Sequence, residues 1–411
     1  MRNLIWTFLL LASLPGAALA QADGGMPEPS PALVKLVSGV LAEHPAVQAA
    51  QASLDAAEAR SRAAGRPLYN PELELDAERA ETDVVSLGIS QSIDWSGKRT
   101  ARADMGAFAA RSGQAGLDAM RQAIIIELLA TLNTYQTART TMQLADRRVE
   151  LLEEFYGLAQ RRFDAGDIAK TDVDLARLAL SEARMQAARL ASMAAAASAE
   201  LDALVSDRPA QWPVFPPLPA RLAQADADAL LAAHPRLRQL RASTDAARAA
   251  VTLARRERKA DPTVGVRGGK EESSNLLGVT LTIPLFVRNN FRAEVEAASA
   301  EALQNEQALR DAYRRARSAL EAATARFQLT RAALSDWQRG GQASLRNQVE
   351  LLKQLWEAGE ISTTEYLVQL GQTLDTRTSA AELTGETRAA WIDWLDASGK
   401  AESWLGLGGK Q

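Results

Sequence analysis

Residues 86–102 read SLGISQSIDWSGKRTAR, and this stretch decides the fold. Its first part alternates large apolar residues, Leu87, Ile89 and Ile93, with serines and a glycine. Alternation with a period of two predicts a β-strand that has one apolar and one polar face. A basic segment beginning at Lys98 then opens a long run of helical composition, so the strand leads into a helix.

The same pattern returns 190 positions later, in residues 277–293, LGVTLTIPLFVRNNFRA. Gly88 corresponds to Gly278 and Ile93 to Ile283, and basic residues follow the strand in both places. Self-similarity at a fixed offset indicates an internal duplication. We therefore predict two halves, each with the order helix, strand, strand, helix, helix, and hence four strands in the chain. The first helix is expected over residues 31–64 and the long helix of the second half over residues 289–357.

Local composition divides the chain into segments. Arg2, an apolar core and the small residues Ala18 and Ala20 form the pattern of a cleaved signal peptide. A proline-rich stretch, PAQWPVFPPLP, separates the two halves. We predict a signal peptide (1–20), a first repeat (21–206), a Pro-rich linker (207–220), a second repeat (221–397) and a flexible tail (398–411). The tail is predicted to be flexible because it contains Gly406, Gly408 and Gly409.

Composition excludes several classes of protein. The net charge of −4 over 411 residues argues against a nucleic-acid-binding protein, which usually carries a basic excess. The absence of cysteine excludes disulfides, thiolate metal sites and a lipid-anchoring cysteine. No apolar run after the signal peptide reaches the ~18–20 residues of a spanning helix. An exported chain of this kind is periplasmic or secreted, or it crosses a membrane as a β-barrel.

Neither the strands nor the helices can bury their apolar faces within one chain. Four strands with one apolar face leave two unpaired edges, which a membrane does not tolerate. The helical run between Gly97 and Ala165 would be roughly 100 Å long, with alanine-rich stripes that suit close packing and supercoiling. An oligomer that closes both the sheet and the helices into tubes satisfies both requirements.

The duplicated plan, the signal peptide and two Ala-Gly breaks, at residues 165–166 and 358–359, resemble the TolC family of outer-membrane efflux proteins. The resemblance covers essentially the whole mature chain. The segments YNPELELD (69–76) and SQSIDWSGKRTAR (90–102) are more particularly similar to the CzcC-like branch, which serves heavy-metal cation efflux.

The resemblance implies a mainly α-helical homotrimer. Three copies of four strands would form a twelve-stranded outer-membrane β-barrel, set on a long periplasmic α-helical barrel. The implied partners are a periplasmic adaptor (membrane fusion) protein, an inner-membrane RND-type pump and outer-membrane lipid, with no cofactor and no nucleic acid. The expected function is that of a passive channel, which needs no catalytic residues.

The resemblance also implies a narrow periplasmic end with acidic residues just after each Ala-Gly break. Asp172 and Glu365 take matching positions, whereas the next acid expected is Val368. The arginine expected to latch the closed state is Ile361 here, and its aromatic partner is Trp356. Asp172 and Glu365 could form cation-attracting rings in the trimer, or they could only compensate the dipoles of helix N-termini, and the two roles are compatible.

Two further groups of residues are candidates in the strand regions. Four acids share one face of the first strand; these are Glu72, Glu74, Asp76 and Glu78. They predict an acidic lumen that suits cations, unless they only fill the wet side of a barrel. Four aromatic residues lie near strand ends, as interface anchors or as core residues; these are Tyr69, Trp95, Phe286 and Phe291.

No residue pattern indicates an enzyme or a metal site. His44 and His234 are the only histidines, and their equivalent positions before proline indicate a structural role. The sequence has neither a nucleotide-binding glycine loop nor a Ser/His/Asp arrangement with any context. An outer-membrane export duct is therefore the leading hypothesis, and a soluble periplasmic coiled-coil adaptor or scaffold is the alternative. The two amphipathic strand pairs favour the duct.

Overall fold

The computed structural model describes residues 26–79, 83–222, 225–345 and 347–408. The predicted signal peptide lies outside these residues. In chain order the elements are α1 (Pro31–Glu43), α2 (Pro45–Ala64), β1 (Glu72–Arg79), β2 (Asp83–Ser92), α3 (Lys98–Asp164), α4 (Lys170–Asp202), α5 (Ala227–Ala233), α6 (Pro235–Glu257), β3 (Thr263–Glu271), β4 (Ser274–Thr282), α7 (Arg292–Asp336), a π-helix (Trp337–Gly341), α8 (Gln342–Leu345), α9 (Gln348–Glu357), α10 (Thr363–Ala397) and α11 (Ala401–Trp404). Both halves therefore follow the predicted order of helices and strands.

The long helix α3 forms as the composition predicts. It has 67 residues, which corresponds to roughly 100 Å at 1.5 Å per residue. Gly97 is its N-cap residue and has a φ of 75°, in the left-handed region that glycine adopts readily. The side chain of Asp94 accepts hydrogen bonds from the backbone N–H groups of Lys98 (2.8 Å) and Arg99 (2.7 Å), which satisfies two donors of the first turn.

Two helices that the sequence predicts as continuous are interrupted. The predicted helix over residues 31–64 breaks at His44, because Pro45 restrains the preceding residue to extended backbone. The predicted helix over residues 289–357 contains the π-helix Trp337–Gly341, which includes the weak helix formers Gly340 and Gly341. Both predictions of a single helix are wrong at these points.

All four strands form one antiparallel sheet in the order β1, β2, β3, β4. The central pair β2–β3 joins the two halves of the chain, and β1 and β4 form the edges. One line of paired residues runs from Glu74 through Gly88 and Arg267 to Gly278. Residues on this line belong to the polar face of the sheet.

The opposite face of the sheet is apolar and uncovered. Its side chains remain strongly exposed, for example 75% for Leu75 and 82% for Leu277. The other large exposed residues on this face are Leu73, Val85, Leu87, Ile89, Val264, Val266, Val279 and Leu281. This band is contiguous over all four strands, whereas the exposed apolar residues of ordinary soluble proteins are scattered singly over the surface. None of the described helices is long and apolar enough to cross a membrane.

The helices pack around two separate apolar clusters. The central core joins α1, α2, α3, α6, α7 and α10, and its fully buried members include Leu33, Ile125, Leu129, Leu132, Leu237 and Trp391. The second, which we call the tip cluster, lies where α3, α4, α9 and α10 meet. Its buried residues are Leu152, Phe155, Ala159, Ala176, Leu180, Ala183, Leu352, Trp356, Tyr366, Leu370 and Leu374.

The predicted flexible tail is wrong for residues 398–408. Trp404 and Leu405 are buried in the central core, and α11 starts just before them. The Trp404 ring packs edge-on against Trp391 at 4.8 Å, and its Nε1 donates to the Pro27 carbonyl at 2.7 Å. The glycines that suggested flexibility are outweighed by two large apolar side chains that lose their exposure to water.

Candidate functional site

The two Ala-Gly breaks form matching turns at one end of the helical region. Gly166 and Gly359 have φ values of 87° and 77°, in the left-handed region that favours glycine. In each turn the residue after the glycine donates to a carbonyl five residues earlier: Asp167 to Arg162 at 2.8 Å and Glu360 to Leu355 at 2.9 Å. The duplication is therefore visible in hydrogen-bond geometry at this end, which we call the helical tip.

The predicted gate acids Asp172 and Glu365 lie in the first turns of α4 and α10. Asp172 Oδ2 accepts from the backbone N–H of Ala169 at 3.2 Å. Glu365 Oε2 accepts from the N–H of Ser362 at 2.8 Å and from its hydroxyl at 2.9 Å. These bonds to Ser362 lower the pKa of Glu365. The geometry matches the helix-terminus role, and the ring role stays a prediction because it requires other copies of the chain.

The predicted gate residue Trp356 lies inside the protomer. Its side chain is 2% exposed and packs against Phe155 at 4.7 Å between ring centres. Tyr366 completes the aromatic group, since it stacks on Phe155 at 4.4 Å. The indole N–H donates to Thr363 Oγ1 at 3.2 Å. Trp356 thus fixes the start of α10 to the end of α9 as a core residue of the tip cluster.

Arg162 is the residue at the tip that the sequence analysis missed. Its guanidinium lies 4.9 Å from the centre of the Trp356 ring and donates to the Trp356 carbonyl at 2.9 Å. This contact joins the end of α3, in the first half, to the end of α9, in the second half. The only signal in the sequence is a pair of arginines before the first Ala-Gly break, and nothing in the pattern shows which side chain turns inward.

Acidic side chains surround the aromatic group of the tip. Burial, followed by the charges of Glu154, Glu357 and Glu350, raises the pKa of Tyr366 to about 12. These glutamates border a groove of about 660 Å³ between α3 and α9, which also contains Arg147 and Lys353. The tip therefore combines an apolar interior with a densely charged surface.

The predicted lumen acids occupy the polar face of β1, and all four are exposed. Their pairing partners on β2 include Ser86, Gly88 and Ser90, so they share this face with small residues. Ser90 Oγ donates to Glu74 Oε1 at 2.8 Å. Whether this face lines a lumen depends on closure of the sheet, so that assignment stays a prediction. We call Glu72, Glu74, Asp76 and Glu78 the acidic column.

The predicted interface aromatics lie where the sheet meets the helices. Tyr69 donates through its hydroxyl to Asp261 at 2.8 Å, and Trp95 Nε1 donates to the Ala260 carbonyl at 2.6 Å. Asp261 is buried and forms an ion pair with Lys98 at 3.0 Å. Burial, followed by the hydrogen bond to Asp261, raises the pKa of Tyr69 to about 12.

Phe286 and Phe291 pack edge to face, with 5.0 Å between ring centres. Trp95 remains 65% exposed. Tyr69 lies just before β1, Trp95 just after β2, and both phenylalanines lie between β4 and α7. Their role as membrane anchors stays a prediction. The Lys98–Asp261 pair is a second feature that the sequence analysis missed, because the two residues are 163 positions apart.

Both histidines cap helices through Nδ1. His44 accepts from the N–H of Ala46 and His234 from that of Arg236, each at 3.2 Å. His234 differs in one contact, since its Nε2 lies 3.2 Å from the carbonyl oxygen of Asp396. Burial lowers the pKa of His234, with an opposing contribution from Asp396. The contact of His234 with Asp396 joins the start of α6 to the end of α10, whereas His44 only caps α2.

Comparison with known proteins places this geometry in a family. The model of a family described as outer membrane efflux protein matches residues 36–206 and 223–400. No curated protein is similar enough in sequence to count as a match. Solved structures with the same fold include OprN, an outer-membrane channel, at 17% identity and a TM-score of 0.77, covering 92% of this chain and 91% of OprN.

Two other solved channels are similar over most of their length. The Campylobacter jejuni CmeC outer membrane channel is 14% identical with a TM-score of 0.74, covering 97% of this chain and 94% of CmeC. CusC, whose crystal structures concern folding and transmembrane channel formation, is 17% identical with a TM-score of 0.74. The match covers 89% of this chain and 91% of CusC. At these identities the likeness establishes the fold, and the predicted fold class is confirmed.

Proposed function

The chain belongs to the outer membrane efflux protein family, and on that premise we propose that it is the exit duct of a tripartite efflux system that carries cations. Members of this family are passive channels rather than enzymes. They reside in the outer membrane and extend into the periplasm, and this chain shares that location. Family channels are trimers that work with an adaptor and a pump.

One observation carries the proposal of a membrane duct. The sheet presents a continuous apolar face over four strands, with Leu75 75% and Val279 76% exposed. Among the described residues, no further strand pairs with either of its edges. In a single chain in water, this apolar face stays exposed to solvent, which is unfavourable in free energy. In a trimer within a bilayer, lipid covers the face and neighbouring copies pair the edges. The soluble scaffold alternative gives no reason for this face.

The proposed cargo is a heavy-metal cation. The acidic column contributes four carboxylates per protomer to the polar face of the sheet. Asp172 and Glu365 add carboxylates near the helical tip. Rings of carboxylates around a pore attract cations and repel anions. The similarity of residues 69–76 and 90–102 to the CzcC-like branch supports heavy metals within the class of cations.

The proposed partners are an adaptor and an inner-membrane pump. The groove between α3 and α9 lies at the helical tip, the end that faces away from the sheet, and offers a polar surface to an adaptor. The groove is lined by basic residues, including Arg147 and Lys353, and by acidic residues, including Glu153 and Glu350. Such mixed charge suits a transient, salt-dependent contact better than a permanent apolar one.

Growth of a strain lacking this gene, compared across metal salts and drugs, tests the cargo. We expect increased sensitivity to divalent heavy metals that the unmodified gene reverses. Sensitivity confined to drugs or dyes would reject the metal cargo but keep the duct. Recovery of the protein only in the soluble periplasmic fraction would reject the duct itself.

Single-channel recording in planar bilayers tests the acidic rings. Asp172→Asn combined with Glu365→Gln removes the carboxylates, and we expect weaker block of the current by divalent cations. Asp174→Asn, which changes an exposed acid two residues away that pairs with Arg177, is the matched control. Unchanged block in the double variant would leave both acids with their helix-terminus role alone.

A further inference from the structure

Arg267 occupies an unusual place in the middle of the polar face of the sheet. It lies on β3 between two glycines, since its direct pairing partners are Gly88 on β2 and Gly278 on β4. Both neighbours lack side chains, so the guanidinium can lie flat on the sheet. A flat arginine between glycines is free to reach sideways, toward one edge of the sheet or the other.

The side chain of Arg267 extends toward the β4 edge. A Cβ placed on Gly278 would lie 2.9 Å from Arg267 Nε and 3.1 Å from its Cγ. The three atoms nearest to a Cβ placed on Gly88 are the Arg267 Cβ at 3.3 Å, the Val266 carbonyl oxygen at 3.4 Å and the Arg267 Cα at 3.7 Å. The positive charge therefore covers Gly278 and points away from the protomer's own acidic column. Within the described part of the chain, Arg267 forms no ion pair.

The opposite edge of the same sheet carries the complementary charge. The acidic column places a carboxylate at every second residue of β1, on the same face as Arg267. When copies close into a tube, β4 of one protomer meets β1 of the next. The strands alternate in direction through the sheet, so this contact is antiparallel like the others.

The register of that contact is restricted by the pleat. A slip of one residue would turn the apolar face of β1 toward the lumen, so only registers that keep like faces together are allowed. Every such register that places Gly278 opposite residues 72–78 sets a carboxylate beside it. Two strand spacings of about 4.8 Å separate Arg267 from that carboxylate, a gap that an extended arginine and a facing acid span together.

We propose that Arg267 of each protomer crosses Gly278 and forms an ion pair with the acidic column of the neighbouring protomer, on the lumen side of the barrel. Glycine at position 278 is then required because any side chain there would displace the guanidinium. The ion pair places opposite charges on the two sides of each seam, by which we mean the contact between β4 of one protomer and β1 of the next. It favours the pairing in which the polar faces of both strands point to the same side. This inference rests on the proposed trimeric duct.

Disulfide trapping tests which face of β1 lies on the same side as the polar face of the neighbouring protomer's β4. The chain has no cysteine, so each introduced pair is unambiguous. Thr280→Cys is combined with a cysteine at one position of β1 from 72 to 78, and the trimer is oxidised in membranes. We expect cross-links between protomers only with the even positions, which share the face of Thr280. Cross-links confined to the odd positions 73, 75 and 77 would overturn the proposal.

Charge exchange tests the ion pair itself. We expect Arg267→Glu to lower the temperature at which the trimer dissociates by about 5 °C or more. One of Glu74→Lys, Asp76→Lys or Glu78→Lys, combined with Arg267→Glu, should restore it. Lys270→Glu is the matched control, since Lys270 is three residues away on the opposite face of the same strand. Equal effects of Arg267→Glu and Lys270→Glu, without rescue, would overturn the ion pair.

A glycine pair supplies an independent measurement. Gly278→Ala should reproduce much of the loss, because the new Cβ meets the Arg267 side chain. Gly268→Ala is the control, since a Cβ there meets only the Leu276 carbonyl at an ordinary 3.8 Å. If the unmodified protein forms no trimer, the proposed duct fails and this inference fails with it. If the unmodified trimer is stable and Arg267→Glu changes nothing, only the inference fails.

Discussion

Arg162 shows how one side chain joins the two halves of the protein at the helical tip. Its guanidinium covers the Trp356 ring and donates to the Trp356 carbonyl. The tryptophan is almost completely buried, so the interaction is partly shielded from water and from salt. Any motion that separates the ends of α3 and α9 must break this contact.

We expect Arg162→Ala to destabilise the tip by about 1–3 kcal/mol, the usual range for a cation–π contact together with a charged hydrogen bond. Hydrogen exchange of residues 352–370 measures the effect directly, and single-channel recording should show more frequent opening. Arg161→Ala, at the exposed neighbouring position, is the control. Equal protection of this segment in both variants would show that the contact does not hold the tip.

His234 links the pH of the surroundings to the stability of the helical region. Burial lowers its pKa below 6.5 in the folded protein, so the unfolded chain binds the proton more readily. The stabilising contribution is therefore complete above pH 6.5 and is lost as the pH falls through the folded pKa. His234→Asn should remove this part of the pH dependence, because asparagine also caps a helix but does not titrate.

Thermal unfolding at several pH values between 5 and 7.5 tests this prediction. The unmodified protein should lose more stability on acidification than His234→Asn does. His44→Asn is the matched control, since His44 caps α2 in the same way without the contact to residue 396. A similar change in both variants would assign the effect to helix capping rather than to burial of His234.

The π-helix is the element in which the two halves differ most. In the first half α3 is continuous over 67 residues, whereas the corresponding helix of the second half is interrupted at Trp337–Gly341. The Trp337 ring lies over Gly341, and a Cβ at that position would overlap it. Gly340, the preceding residue, has open space at its Cβ position. Only the second glycine is therefore required by packing.

We expect Gly341→Ala to destabilise the protein by about 1–3 kcal/mol, because the added methyl group must displace the Trp337 ring. Gly340→Ala should instead be neutral or stabilising by up to about 1 kcal/mol, since alanine favours the helix. The thermal midpoint of each variant in detergent provides the comparison. Stabilisation by both substitutions would show that the indole moves aside without cost.

The sequence predicted elements well where a periodic pattern defines them. Period-two alternation located β2 and β4, and the internal repeat showed that these two strands occupy equivalent positions in the two halves. The interruption at Trp337 was missed because one extra residue in a helical turn leaves the composition unchanged. The tail was misjudged because its glycines were given more weight than Trp404, whose partners lie far away in the sequence. Contacts such as Arg162–Trp356 and Lys98–Asp261 depend on which distant side chains the fold brings together, and one sequence contains no such information.

At the scale of the whole molecule, the sheet separates two environments across a single layer of backbone. Adjacent residues of β4 illustrate this, since Val279 lies on the apolar face and Thr280 on the polar face. Both side chains are exposed in the isolated protomer. The surroundings of the two side chains therefore differ only when the sheet is closed and inserted in a bilayer.

Val279→Lys should impair assembly in the membrane, by about 2–4 kcal/mol if the position lies near the bilayer midplane. Thr280→Lys adds the same charge one residue away and should leave the amount of heat-resistant trimer nearly unchanged, because a lumen side chain stays hydrated. Refolding of each variant into lipid vesicles, followed by counting of trimers on unheated gels, measures the difference. Equal assembly of the two variants would mean that β4 does not have one lipid-facing and one water-facing side, and the membrane duct would have to be abandoned.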